Sequence, residues 1–302
     1  MSRWSTWVGI TLLIAIAVAS LSILTGGLKE LIRELKSVNP TRLAAALSFI
    51  ILGEAVRAAR LKYIARASGY SLGFLEALTA RLAGRFASTI TPGGVAGTPT
   101  RAAIIGTTGN MELGKALGLS LIETFADTVI PATILVVFMA LGLGSWIVVG
   151  FSAFVLAMWI GGTLAAISSR TVSAIYRRLH VSESIRCIIE RQRELLIEAL
   201  KMIPRPSFLV IVSIVTVIAH LVEALGIMFL IHNTGFDPVL LIRGFAAVES
   251  SYIMVSAPTP GGSGAIEYGF YVFLGSSLAV YWRLAHLLAS FIPGAVLALI
   301  AP

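Results

Sequence analysis

Ser88-Thr-Ile-Thr-Pro92-Gly93-Gly94-Val-Ala-Gly97-Thr98-Pro99 and Ser256-Ala-Pro258-Thr-Pro260-Gly261-Gly262-Ser-Gly264-Ala-Ile-Glu267 interrupt two otherwise apolar regions, 72–106 and 238–275. Proline removes a backbone donor and clashes with the preceding turn, while paired glycines reach positive φ. A helix entering Thr-Pro-Gly-Gly therefore frees backbone groups. At membrane depth such groups are tolerated only when buried in protein or lining a wet cavity. Each region is predicted to form two half-helices meeting at a re-entrant tip. The competing reading is two ordinary exposed turns, giving ten shorter helices.

The rest of the chain explains why membrane depth is the right frame. Of 302 residues, 57% are hydrophobic and 13% charged, whereas soluble domains run at about 45–50% apolar and about 25% charged. Six further stretches, near 7–27, 42–64, 115–142, 146–168, 207–232 and 279–300, can cross about 30 Å of hydrocarbon. The first also resembles a signal peptide, with Arg3 ahead of it and Ala17-Val18-Ala19 as a cleavage box, but its apolar run continues to Leu24 and favours a retained anchor. The net charge of +8, with 18 Arg against 5 Lys, sits between apolar spans, which fits juxtamembrane residues facing anionic lipid and not nucleic acid. One cysteine, Cys187, excludes an internal disulfide and a cysteine-cluster metal site, and four scattered histidines offer no compact ligand spacing. No cofactor is implied.

Orientation follows from the long polar connection 169–206, which carries Arg170, Arg177, Arg178, Arg186, Arg191, Arg193, Lys201 and Arg205 and so belongs on the cytoplasmic side. Within it, Ile185, Ile188, Ile189, Leu195, Leu196 and Ala199 repeat at helical spacing, predicting an amphipathic surface helix over 182–202. Both termini then lie in the cytoplasm of a cell-membrane protein. The 28–41 connection falls outside despite Lys29, Arg33 and Lys36. The first broken segment enters from the cytoplasm and the second from outside, so span, span, hairpin, span occurs twice with opposite orientation. The expected architecture is an all-α polytopic membrane protein of two inverted-topology repeats, 1–142 and 143–302, with six spanning helices and two re-entrant hairpins. Matching Gly/Pro-broken segments in inverted halves point to a transporter-like site.

Ionisable residues inside the spans cost at least about 2.5–3.5 kcal/mol each on insertion scales, so each needs a reason. Glu54, Arg57 and Arg60 lie at i, i+3 and i+6; Arg81 and Arg85 are one turn apart before the first tip, and Arg101 follows it. Glu123 and Asp127 share a face, as do His220 and Glu223; Glu249 precedes the second tip, Glu267 follows it, and Arg283 and His286 open the last span. Snorkelling to headgroups is the bland reading of Arg57 and Arg60, and neutralisation of buried arginines that of Glu123 and Asp127. His220 reads as a packing histidine, not a metal ligand, and Glu267 as a helix cap. The functional reading gathers Arg57, Arg60, Arg81, Arg85, Arg101 and Arg283 around two tips, Pro92-Gly93-Gly94 with Gly97 and Pro260-Gly261-Gly262 with Gly264. Backbone N–H groups and arginine forks there suit phosphate oxygens. Glu123, Asp127, Glu223, Glu249 and Glu267 would then pair with those charges or couple transport.

These residues resemble a known family, the lysylphosphatidylglycerol synthase/flippase transmembrane-domain proteins. The carriers are Arg57-Ala-Ala-Arg60, Thr91-Pro92-Gly93-Gly94 leading to Arg101, Glu123-Thr-Phe-Ala-Asp127, Pro258-Thr-Pro260-Gly261-Gly262-Ser-Gly264-Ala-Ile-Glu267, and Arg283. Two positions depart from the family's usual pattern: Thr98 stands where a glutamate follows the distal glycine, and Thr124 where arginine is common. The resemblance implies a lipid translocator for an anionic or aminoacylated phospholipid, or a polyprenyl-phosphate-linked sugar, with membrane lipids as its partners. No segment approaches the size of the soluble synthase domain often fused in that family, so enzymatic activity is not expected. Two other classes stay open: an ion- or proton-coupled small-solute transporter using Glu123, Asp127 and Glu267, and a non-transporting subunit of a separate lipid-modifying enzyme. A homo-oligomer is compatible with each.

Overall fold

The computed structural model describes residues 3–142, 145–168, 205–230 and 236–300, with isolated positions between 183 and 201. All of the regular structure among them is helical. In chain order the helices are α1 (Arg3–Thr25), α2 (Leu28–Ser37), α3 (Pro40–Ala67), α4 (Phe74–Ile90), α5 (Gly97–Thr108), α6 (Leu113–Ala140), α7 (Trp146–Ile167), α8 (Pro206–Met228), α9 (Pro238–Met254), α10 (Ala265–Leu274) and α11 (Ser276–Ile300). Local chemistry sets many of their ends. Asn39 caps α3 by accepting from the Thr41 and Arg42 amides, and Asp237 caps α9 by accepting from those of Val239 and Leu240. In both cases proline follows at the first helical position, where its missing donor costs nothing.

Four helices, spanning Trp7–Thr25, Leu113–Phe138, Trp146–Leu164 and Pro206–Met228, are long and apolar enough to cross a bilayer. They make this a membrane protein. The other two expected spans lie in α3 and α11, of 28 and 25 residues. At about 1.5 Å per residue these are long enough, and it is their buried charges that set them apart. The 28–41 connection differs from expectation, because most of it is the helix α2. Leu31 is buried, Leu28, Ile32 and Leu35 are exposed, and Glu34 accepts from Ser277 (2.8 Å) and Tyr281 (3.0 Å) of α11. Its amphipathic spacing places acids and bases at helical intervals, which a charge count alone does not reveal. The apolar stripe expected over 182–202 lies outside the described residues.

Both Pro-Gly-Gly stretches break their helices as predicted. Gly93, Gly94, Gly261, Gly262 and Gly264 all have positive φ, which only glycine adopts freely. The two tips meet: Pro92 and Pro260 form an antiparallel bridge, Gly93 N donates to Ala257 O (3.0 Å), and Gly261 N donates to Thr91 O (3.1 Å). Backbone groups freed by one break are therefore satisfied by the other. α1 lies across this junction, with Leu13 and Ala17 buried.

Apolar packing is divided. One cluster gathers Ala46 and Ile50 of α3, Ala132 and Leu135 of α6, and Ala224 and Ile227 of α8 around α9, α10 and α11. The other gathers Ala58 and Leu61 of α3, Ala116 and Leu119 of α6, and Phe208 and Val212 of α8 around α4 and α5. Between them, halfway along α3, α6 and α8, the buried residues are charged or polar: Glu54, Arg57, Glu123, Asp127, Thr216, His220 and Glu223. Helical periodicity puts these on the inward faces, and their depth makes a polar layer through an apolar bundle.

Candidate functional site

The polar layer is a network of ion pairs in which, of four arginines and four acids, only Arg57 Nε and Nη2 and Glu223 Oε2 lack a hydrogen-bond partner. Arg60 grips Glu123 with two donors, Nε to Oε1 (3.0 Å) and Nη2 to Oε2 (2.8 Å), while Nη2 also reaches Asp127 (2.6 Å) and Nη1 reaches Thr216. Arg81 bridges Glu123 (2.8 Å) and Asp127 (2.6 Å) through Nη1 and donates through Nε to Glu54 (3.1 Å). Arg57 pairs with Glu223 (2.6 Å), and Arg85 with Glu54 (2.7 Å). Four guanidiniums thus meet four carboxylates, and the cluster is formally neutral. Neutrality is what makes it tolerable at this depth. Buried ions persist when paired and hydrogen bonded, and removing one partner typically costs about 3–5 kcal/mol.

Beside this network lies a cavity of about 170 Å³, room for roughly five waters at about 30 Å³ each. Both tips line it, through Gly93, Gly94 and Gly261, together with Arg81, Arg85, Arg101 and Arg283. Arg57 and Arg60 do not; they are fully buried behind it, in the ion pairs just described. Of the acids, Glu54 and Asp127 reach the wall, while Glu123, Glu223, Glu249 and Glu267 stand outside it.

The two helix starts beyond the tips differ. At α10, Glu267 accepts from the Gly264 amide and from Arg283 Nε (2.7 Å), and Arg283 Nη2 reaches Ser263 (3.1 Å). That end is capped and neutralised by its own chain. At α5 there is no acid in the first turn and no side-chain cap. One turn in, Arg101 is 93% buried, and its Nε and Nη1 have no hydrogen-bond partner. Among the described residues it is the buried arginine of this region that makes no ion pair.

Several participants are invisible to motif reading. Glu54, seen in the sequence as a buried charge, is the hub that takes Arg57, Arg81 and Arg85. Motif spacing does not mark Thr216, Tyr252 and Ser290, which bond Arg60, Glu223 and Arg85. Thr216 does lie one turn before His220, so a search for polar residues on that face would have found it. His220 packs as expected, yet it also contacts Glu249 (2.9 Å). Among the described residues no group of His, Cys, Asp and Glu is placed to hold a metal ion.

A family model for the lysylphosphatidylglycerol synthase TM region matches residues 8–297. The chain belongs to that family. No curated protein and no solved structure matches it. Within this lysylphosphatidylglycerol synthase TM-region protein, the two departures from the family pattern meet. Thr98 and Thr124 line the cavity, their hydroxyls 2.7 Å apart. The two threonines bond to each other and bring no charge to the wall.

Proposed function

We propose that the chain is a lipid translocator that passes an anionic headgroup between leaflets through the cavity at the two tips. The observation that carries this reading is Arg101. A buried cation with unfilled donors is costly unless something completes it, and a ligand oxygen bearing negative charge does so. The donors at the amino end of α5 add to the same field. A cavity of about 170 Å³ holds a headgroup phosphate but not acyl or isoprenoid tails, which stay in lipid. The candidates are a phospholipid, aminoacylated or not, and a polyprenyl-phosphate-linked headgroup. Arg81, Arg85 and Arg283 shape the wall, while Arg57 and Arg60 hold the network behind it.

In this reading α4–α5 and α9–α10 are re-entrant hairpins of two inverted repeats, with six spanning helices, and rocking of the halves about the bridged tips alternates access. The basic 169–206 connection supports a cell-membrane protein with both termini on the cytoplasmic side. The chain acts without enzymatic turnover or cofactor; a separate lipid-modifying enzyme or a second copy is its natural partner. Leaflet-resolved transport of a fluorescent phosphatidylglycerol in proteoliposomes tests this. Arg101→Gln is expected to slow transport at least tenfold and Arg101→Lys less. Equal rates in wild type and Arg101→Gln would remove the residue, and with it the reading.

A further inference from the structure

The neutral network leaves one buried titratable pair unaccounted for. His220 of α8 and Glu249 of α9 are both fully buried, with Nδ1 and Oε2 2.9 Å apart. The imidazole stacks on Tyr252, ring centroids 4.5 Å apart and planes 18° from parallel. His220 Nε2 and Glu249 Oε1 have no hydrogen-bond partner. Neither residue lines the cavity.

The buried charged groups that the neighbouring described elements bring near the pair are already in ion pairs with one another. On α8 itself, Glu223 takes Arg57 (2.6 Å) and the Tyr252 hydroxyl (3.1 Å). From α3, Arg57 lies 4.6 Å from the Tyr252 ring centroid but is bonded to Glu223, Arg60 is held by Glu123 and Asp127, and Glu54 is shared among arginines. From α6, Glu123 and Asp127 are matched by Arg60 and Arg81. α7 carries no ionisable residue. From α10, Glu267 belongs to Arg283. Among the described residues no cation therefore balances Glu249, and a neutral imidazole beside a bare carboxylate would leave one uncompensated negative charge in an apolar interior. One added proton removes it, and the apolar surroundings favour the uncharged form, a Glu249 carboxylic acid bonded to neutral imidazole, over an imidazolium–carboxylate ion pair.

We propose that His220–Glu249 is a proton-binding site and that its occupancy couples proton movement to movement of the second tip. α9 runs directly from Glu249 into the tip at Val255–Gly262, and α8 packs on α3 through Gly53, where Glu223 meets the network. Losing the proton puts an unbalanced charge between α8 and α9, which favours a state in which the pair is wetted. Gaining it favours the packed state seen here. The two unfilled atoms, His220 Nε2 and Glu249 Oε1, are the positions at which a proton arrives and leaves. That the cargo is lipid rests on the reading above; the proton site does not.

Two measurements separate the claims. Dicyclohexylcarbodiimide, an apolar reagent for protonated buried carboxyls, should modify Glu249 in the wild-type protein. Arginine-paired Glu123 should stay unmodified. Absence of Glu249 adduct at every pH, or equal adduct at Glu123, overturns the site. In proteoliposomes the ratio of lipid transport rates with and without an imposed pH gradient, taken within each variant, should be several-fold above one for wild type. It should be one for the isosteric Glu249→Gln. A wild-type ratio of one, or an undiminished ratio in Glu249→Gln, overturns the coupling. If wild type moves no lipid at all, the lipid reading fails while the carbodiimide result still decides the proton site.

Discussion

The two broken-helix hairpins share a Pro-Gly-Gly turn and end in opposite electrostatic states. Beyond the second tip, Glu267 caps α10 and neutralises Arg283. Beyond the first, α5 begins without an acid and Arg101 has no ion-pair partner among the described residues. The same backbone break therefore has two outcomes: one tip is neutralised by its own chain, and the other leaves a buried cation without an ion pair among the described residues. A motif that frees helix-end donors makes an anion site only where the chain withholds its own carboxylate.

The sharpest way to break this contrast is to unfinish the second tip. Glu267→Gln leaves Arg283 uncompensated and should cost about 3–5 kcal/mol, read as a lower midpoint of thermal unfolding in detergent. A midpoint equal to wild type would show that the second tip is not held by this pair. Backbone substitutions come next. A Cβ at Gly262 would run into the Met254 carbonyl and require positive φ, whereas one at Gly93 would meet its nearest atom at 3.6 Å. Gly93→Ala should therefore cost about 1–2 kcal/mol from conformation alone, and Gly262→Ala roughly 1–3 kcal/mol more from overpacking; equal losses would mean the tips are equally tight.

Changes of charge at the first tip should barely lower stability. Arg101→Gln removes an unpaired buried charge, so its midpoint should match or exceed wild type, even as transport falls. A loss as large as that of Glu267→Gln would make Arg101 structural. Thr98→Glu goes further by giving the first tip a carboxylate of its own. It should abolish the stabilisation that added phosphatidylglycerol confers on wild type by binding the folded state, and leave the lipid-free midpoint within about 0.5 kcal/mol. Persistent stabilisation by the lipid would show that α5 and Arg101 are not where the headgroup binds.

Legibility in the sequence followed the range of each interaction. The two tips could be read because proline and glycine act on their own backbone, and the capped start of α10 because Glu267 reaches the Gly264 amide three residues away. The apolar spans could be read from length and composition. α2 could not be read from a charge count, since its amphipathic spacing matters only once Leu31 has a surface to bury against. Nor could the hub role of Glu54, whose arginines come from α3 and α4.

What the sequence by itself determined is that this is a membrane protein with two helix breaks and a set of buried charges at fixed helical faces. Which charges cancel was decided only by the tertiary structure. Arg57 finds Glu223 across 166 residues and Arg60 finds Asp127 across 67, while Arg101, on the same kind of face, finds no acid. Periodicity sets the direction in which a side chain leaves its helix. The identity of what it meets depends on how distant helices pack, and in a medium of low dielectric that meeting determines whether a charge is silent or available.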